Sequence, residues 1–263
     1  MKPVTGNNME QQPVSGENCG LASSPGHEIL SIRLRPDGLS FACFERGELK
    51  SGTVPFLAWI APENGFDAAF SSAEWPCADF SEVWACIPTD CAALIPGELN
   101  LPENHRQFMA SLGFPDAPGM QPSACSCPGN MVLLHAVRET VMRSLTDKYG
   151  DALTLIHPLY VNLCQPEEQG LVLCVDHADG YGNFTLKKGG KLVFADVFPA
   201  SNRAALLFAV NRIVTTSEDD SLRIVCSGEN AQTHAALLRR HYRNVSVHPH
   251  GEDRNLLFPW SCG

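Results

Sequence analysis

Residues 30–52 read LSIRLRPDGLSFACFERGELKSG, and this stretch decides the fold of the first half of the chain. Arg33 and Arg35 alternate with aliphatic residues, and a period of two predicts a β-strand. Asp37-Gly38 is a favoured hairpin turn, because glycine readily adopts a positive φ. A second turn at Arg46-Gly47 follows the return strand. The stretch therefore predicts a meander of three antiparallel strands.

A second stretch of the same kind lies in the other half of the chain. Residues 171–199 read LVLCVDHADGYGNFTLKKGGKLVFADVFP, with glycine turns between three apolar runs. A shift of 143 residues places Val172 on Ile29 and Phe184 on Phe41, and it aligns the turns. Few residues are identical, but the two stretches agree in which positions are expected to face the core and which to face outward. We therefore predict a structural repeat.

Helices and strands alternate after each meander, which predicts mixed sheets with helices on their faces. Residues 114–130 carry several prolines and glycines, so we expect a loop or linker there. We place a first half at residues 27–120 and a second half at 121–263, with the second meander and its helices over about 171–263. Residues 1–26 are polar and poor in aliphatic side chains, a composition typical of a disordered tail.

Composition excludes several classes of protein. The chain has 263 residues and a net charge of -10, whereas nucleic-acid-binding proteins usually carry a basic face. We find neither a signal peptide nor an apolar run of membrane-spanning length, so we expect a cytoplasmic protein that does not bind a membrane. The 11 cysteines include Cys125-Ser-Cys127 without a second pair, so packing is a better interpretation than a zinc site. His248-Pro-His250 is most simply a turn.

Two copies of a β-β-β-α-β-α unit resemble the superfamily of actin, hexokinase and the Hsp70 chaperones, whose halves have a ribonuclease-H-like fold. This resemblance implies an α/β protein of two mixed-sheet halves, each opening with a three-strand meander. It also implies a site for ATP phosphates between the halves, gripped by the first hairpin turn of each half. In that superfamily, an aspartate at the end of each first strand positions Mg²⁺ or the attacking water.

The second meander carries a partial form of the superfamily's phosphate motif, which is usually Asp-x-Gly-x-Gly-x-x-Asp. The run DHADGYGN matches at Asp176 and Gly180, but Ala178 replaces a glycine and Asn183 replaces an aspartate. A strand-to-helix junction near residue 228 resembles the adenosine motif, with one glycine in place of a pair. If a nucleotide binds, the resemblance assigns it to Asp176, Gly180, Gly182, Ser227 and Gly228.

The first meander departs further, because Arg33 stands where the first aspartate belongs. A cation there reverses the charge that would hold Mg²⁺, although arginine can bind phosphate directly. The alternative is that Arg33 and Arg35 form the solvent-exposed face of a strand. For Asp176, the alternative to a role in binding is a turn-capping aspartate.

The chain as a whole resembles domain-of-unknown-function family 3822 of the Bacteroidota, over roughly residues 27–250. The resembling segments are residues 30–52, VWACIPTDCAALIPGEL at 83–99, LTLIHPLYVNL at 153–163, GNFTLKKGGKLVFADVF at 182–198 and LRIVCSGENAQTHAALLRRHY at 222–242. The family has no assigned activity, so it supplies no catalytic or metal-binding residues.

We therefore expect a non-catalytic scaffold or adaptor with an unknown protein partner and no cofactor. The alternative is a nucleotide-binding protein or slow ATPase that uses the second phosphate turn with ATP and Mg²⁺. A ribonuclease-H-type nuclease is disfavoured by Arg33, since that chemistry needs clustered carboxylates. A cysteine hydrolase is disfavoured because no family signature surrounds Cys91 or Cys226.

Overall fold

A computed structural model describes residues 28–45, 47–55, 62–114, 119–165, 169–215 and 222–261 of the chain. The tail predicted for residues 1–26 lies outside the described residues.

The first half is built on a five-stranded mixed sheet in which β1 pairs antiparallel with β2 and parallel with β4. The strand order is β3-β2-β1-β4-β8. The strands are β1 (Ile29–Arg35), β2 (Gly38–Glu45), β3 (Glu48–Pro55), β4 (Glu82–Cys86) and β8 (Leu153–Ile156). Aliphatic side chains from one face of this sheet form a core with the helices α1 (Pro62–Phe70) and α3 (Glu139–Tyr149).

A small antiparallel sheet is inserted between β4 and α3. Its order is β5-β7-β6, from β5 (Ala92–Pro96), β6 (Met120–Cys127) and β7 (Met131–Arg138), and it carries the helix α2 (His105–Ser111). The prediction of a loop was wrong for residues 120–127. Strand β6 forms despite Pro122 because it lies at the edge of its sheet, where a missing backbone N–H is tolerated.

The second half repeats the first sheet, with the order β11-β10-β9-β12-β13. Its strands are β9 (Leu171–Ala178), β10 (Tyr181–Lys188), β11 (Lys191–Pro199), β12 (Arg223–Gly228) and β13 (Val245–Val247). Helices α5 (Arg203–Val214) and α6 (Ala231–Leu238) cover one face. Strand β10 lies 143 positions after β2, which confirms the predicted repeat. We predicted a boundary between the halves at residue 120. Strand β8, which belongs to the first sheet, lies after that residue.

Each half contributes one helix to the sheet of the other half. Helix α4 (Pro158–Leu163) follows the last strand of the first sheet and packs on β9 and β10. Helix α7 (Arg254–Ser261) follows the last strand of the second sheet and packs on β1 and β2. These two helices fill the layer between the sheets, so the two halves share their packing and form one body.

Candidate functional site

Arg33 and Asp176 occupy equivalent positions in the two halves, on the faces of β1 and β9 that point toward the layer of α4 and α7. Arg33 pairs with Cys86 across β1 and β4, and Asp176 pairs with Ser227 across β9 and β12. The residues that alternate with Arg33 along β1 and with Asp176 along β9 point to the opposite face of each sheet and belong to its hydrophobic core. The period of two therefore places Arg33 and Asp176 at the interface between the halves.

The carboxylate of Asp176 is fully buried and its two oxygens accept hydrogen bonds from within the chain. Ser227 Oγ donates to Oδ1 at 2.8 Å, and Asn255 Nδ2 donates to Oδ2 at 3.0 Å. Arg254 Nη1 in turn donates to Ser227 Oγ at 2.8 Å. Asn183 donates to the backbone carbonyl of Asp176 at 3.3 Å. This network joins the second sheet to the first turn of α7.

Arg33 is 3% exposed, so the interpretation that it lies on a solvent-exposed strand face was wrong. Its Nη2 donates to Glu229 Oε1 at 2.9 Å, and this ion pair links the first half to the second. Glu229 Oε2 accepts from the backbone N–H of Asp179 at 3.2 Å. Arg35 is more exposed and pairs with Asp37 at 3.0 Å. The two arginines of one strand therefore have different roles.

The three predicted glycines meet different neighbours. A Cβ on Gly228 would lie 2.2 Å from the carbonyl oxygen of His177, and its φ is +76°, so the pairing of β9 with β12 requires glycine there. A Cβ on Gly182 would lie 2.4 Å from the ring of Phe184. Gly180, with a φ of +83°, lies in the β9–β10 turn, and a Cβ there would have space. The structure brings Asp176, Ser227 and Gly228 together at the strand ends.

Asp179, which the sequence analysis did not select, lines a cleft of about 320 Å³ between the halves. Burial, and then the neighbouring negative charge of Glu229, raise the pKa of Asp179 to about 7, although Arg33 opposes this. Tyr181 joins Asp179 on the wall from the second half, and the facing wall includes Pro36 and Asp90. An Asp-Gly dipeptide at 179–180 indicates a turn, but the burial of the Asp179 side chain depends on how the two halves pack together.

The sequence did not predict roles for Glu229, Arg254 and Asn255 either, and no sequence motif marks them.

The predicted turn at His248 is confirmed, since the backbone N–H of His250 donates to His248 Nδ1. Cys125 is buried in β6 and donates to the carbonyl of Leu155 at 3.0 Å. Burial raises its pKa to about 12, as it does that of Cys127. Within the described ranges, no three His, Cys, Asp or Glu side chains are grouped as they would be to hold a metal ion.

Two mixed sheets of one strand order, with exchanged helices between them, define the actin-like ATPase fold. Comparison with solved structures agrees: this fold is shared with a protein of unknown function from Bacteroides thetaiotaomicron, at a TM-score of 0.74 and 13% identity, over 90% of this chain and 96% of that chain. Comparisons of the sequence with protein-family models and with curated proteins give no match.

Two further structures have the same fold at a greater distance. A PilM-PilN type IV pilus biogenesis complex matches with a TM-score of 0.55 and 12% identity, over 90% of this chain and 99% of that chain. The ethanolamine utilization protein EutJ from Carboxydothermus hydrogenoformans matches with a TM-score of 0.51 and 11% identity, over 92% of this chain and 91% of that chain. Identities this low show a shared fold and nothing more about activity. In the part of the chain that the structure describes, no helix has the length and apolar character needed to cross a bilayer.

Proposed function

We propose that the protein is a non-catalytic scaffold or adaptor of the actin-like fold. The observation that carries this proposal is the Arg33–Glu229 ion pair, which occupies the place of the first metal-directing aspartate. Phosphoryl transfer depends on positioned Mg²⁺ and on stabilisation of negative charge. A buried guanidinium already paired with a carboxylate favours neither.

The second half supports the same proposal. Both carboxylate oxygens of Asp176 accept hydrogen bonds from Ser227 and Asn255, so the aspartate acts within the chain. Asp176 is fully buried, so a nucleotide or a metal ion could reach its carboxylate only if the first turn of α7 moved. A buried carboxylate without partners is costly, so this movement is unfavourable.

The alternative function is nucleotide binding at the second turn, as the resemblance of the run DHADGYGN to the superfamily's phosphate motif suggests. The cleft beside Asp179 and Gly180 favours it, because this turn borders a space of about 320 Å³. ATP with Mg²⁺ would then lie near Gly180, Gly182, Ser227 and Gly228. We give this function second place because Asp176 does not face the cleft.

Three further assignments are proposals. They are membership of family 3822, a cytoplasmic location and a protein partner. The fold neighbour from Bacteroides is compatible with the first, and no family model supports it.

A thermal titration with Mg-ATP separates the two functions. A ligand at 100 times its dissociation constant stabilises a protein by about 2.7 kcal/mol, which corresponds to a rise of roughly 5–10 °C in Tm for a chain of this size. We expect no rise with Mg-ATP at millimolar concentration beyond that seen with Mg²⁺ and sulfate. A nucleotide-specific rise in Tm that Gly180→Val removes would overturn the proposal of a non-binding scaffold. The control variant is Gly113→Val, because Gly113 also has a positive φ, +85°, and lies outside the cleft.

A further inference from the structure

Strand β11 forms one edge of the second sheet, and among the described residues no strand pairs with its outer side. It spans nine residues and is the longest strand in the described part of the chain. Leu192 and Val193 on this strand are 37% and 58% exposed. A long edge strand with exposed aliphatic side chains is a template for pairing with another strand.

The equivalent edge strand of the first half, β3, is more polar. The shift of 143 residues places Phe194 on Ser51 and Val193 on Lys50. Apart from Leu49, the exposed residues of β3 are polar or proline: Glu48, Ser51, Thr53 and Pro55. Two halves of one topology therefore differ at this edge, so the fold itself does not require apolar side chains on β11.

A β-bulge at Val193 decides which side chains of β11 share a face. Phe194 pairs with Leu186 of β10, and Leu192 pairs with Lys187, so Val193 has no partner on that strand. Because alternate residues point to opposite faces, the residues that share the face of Phe194 are found by leaving Val193 out of the count.

Two opposite charges flank Phe194 symmetrically on this face. Lys191 and Asp196 each lie two ladder positions from Phe194. Lys191 is exposed, Asp196 is partly buried, and neither forms an ion pair among the described residues. Arg212 of α5 acts on the Asp196 carboxylate, but its guanidinium lies over the ring of Phe198 and outside ion-pair distance of Asp196. Both charges are therefore available to a partner strand.

The charge pattern of β11 is complementary to itself. In a twofold-symmetric antiparallel pair of identical strands, one residue faces its own copy, and the residues on either side of it face each other's copies. With Phe194 at the centre, Lys191 of each copy opposes Asp196 of the other on the same face. Opposite charges across a strand pair stabilise it, and like charges destabilise it. One register thus forms two ion pairs.

The inserted sheet does not pair with this edge. Strand β5 approaches β11 but belongs to a different sheet. Ala195 and Val197 of β11 pack in one hydrophobic cluster with Ala92 of β5, in the layer between the halves. This contact uses the side chains of one face of β11, so the backbone edge is left for another strand.

We propose that two copies of this chain associate through β11, in an antiparallel register centred on Phe194, and so join their second sheets into one continuous sheet. The partner at this edge is thus a second copy of the chain. The association requires no nucleotide, so it is independent of the outcome of the Mg-ATP titration.

Sedimentation equilibrium of the full chain at micromolar concentrations tests this proposal, and we expect a reversible dimer. Lys191→Asp places like charges opposite each other twice, so it should weaken the dimer by about tenfold, and Asp196→Lys should do the same. A mixture of these two variants restores opposite charges at both places and should dimerise like the parent chain. The matched control is Glu48→Lys, at the equivalent exposed position of β3, which should leave the dimer unchanged.

Val193→Lys, at an exposed position on the same edge, should also weaken the dimer. Circular dichroism checks that each variant folds, and if Asp196→Lys does not fold, Lys191→Asp and Val193→Lys test the proposal. A chain that stays monomeric, a dimer that these two variants leave unchanged, or a mixture of folded variants that does not dimerise would each overturn it. Equal weakening by Glu48→Lys would also overturn it, because the effect would not be specific to β11.

Discussion

At the scale of single residues, the ion pair between Arg33 and Glu229 joins the two halves from positions 196 residues apart. Removing one partner of a buried pair leaves an uncompensated charge. We expect Glu229→Gln to lower the free energy of unfolding by about 1–3 kcal/mol, because Glu229 is partly exposed and Arg33 is not. Arg35→Gln breaks a more exposed pair and should cost at most about 1 kcal/mol. Urea unfolding of both variants compares them, and equal losses would contradict this account.

Two buried histidines make stability depend on pH. Burial lowers the pKa of His135 to about 3 and that of His157 to about 4, so both are neutral in the folded chain. In the unfolded chain they take up protons near pH 6.5. The stability they contribute is therefore complete above about pH 6.5 and is lost as the pH falls toward 4 and 3.

His135→Leu tests this pH dependence, since neither ring nitrogen of His135 has a hydrogen-bond partner among the described residues. We expect the variant to reduce the slope of unfolding free energy against pH by about 1.4 kcal/mol per pH unit between pH 4 and 6. Urea titrations at several pH values measure the slope. An unchanged slope would mean that His135 is not a neutral buried group.

At the scale of elements, helix α7 covers the inner face of the first sheet. Trp260 contacts Phe44 edge to face, with ring centroids 5.4 Å apart, and packs with Leu256 against Ala42. We expect Trp260→Ala to destabilise the protein by about 3 kcal/mol, because a large buried side chain leaves a cavity. Phe208→Ala, at a position 69% exposed on α5, should change stability by less than about 0.5 kcal/mol. Thermal or urea unfolding of both variants measures the difference, and similar losses would contradict the role of α7.

Helix α7 and strand β6 also show where sequence patterns are insufficient. Pro259 lies within α7 and interrupts the pattern that would have predicted a helix. Pro122 concealed β6 in the same way. Pro122 is tolerated because β6 lies on the edge of its sheet, where a backbone N–H is not needed for pairing. That position is not visible until the neighbouring strands are placed.

At the scale of the whole molecule, the exchange of α4 and α7 makes each half depend on the other. Residues 1–167, produced alone, would leave the first sheet without α7 and leave the apolar face of α4 uncovered. We expect this fragment not to unfold cooperatively, and we expect mixing with residues 168–263 to restore structure. Circular dichroism and urea unfolding of the fragments and of their mixture test this. Cooperative unfolding of residues 1–167 alone would show that the halves are independent.

The sequence by itself determined the two meanders, their turns and their repetition, because period-two alternation and glycine turns are local properties of the chain. The shift of 143 residues also aligned Arg33 with Asp176, an arginine with an aspartate. Only the tertiary structure decided that Arg33 pairs with Glu229, that Asp176 bonds to Ser227 and Asn255, and that Asp179 borders a cleft. These contacts join residues 50 or more positions apart. No local pattern records them, since they arise only when the two halves pack together.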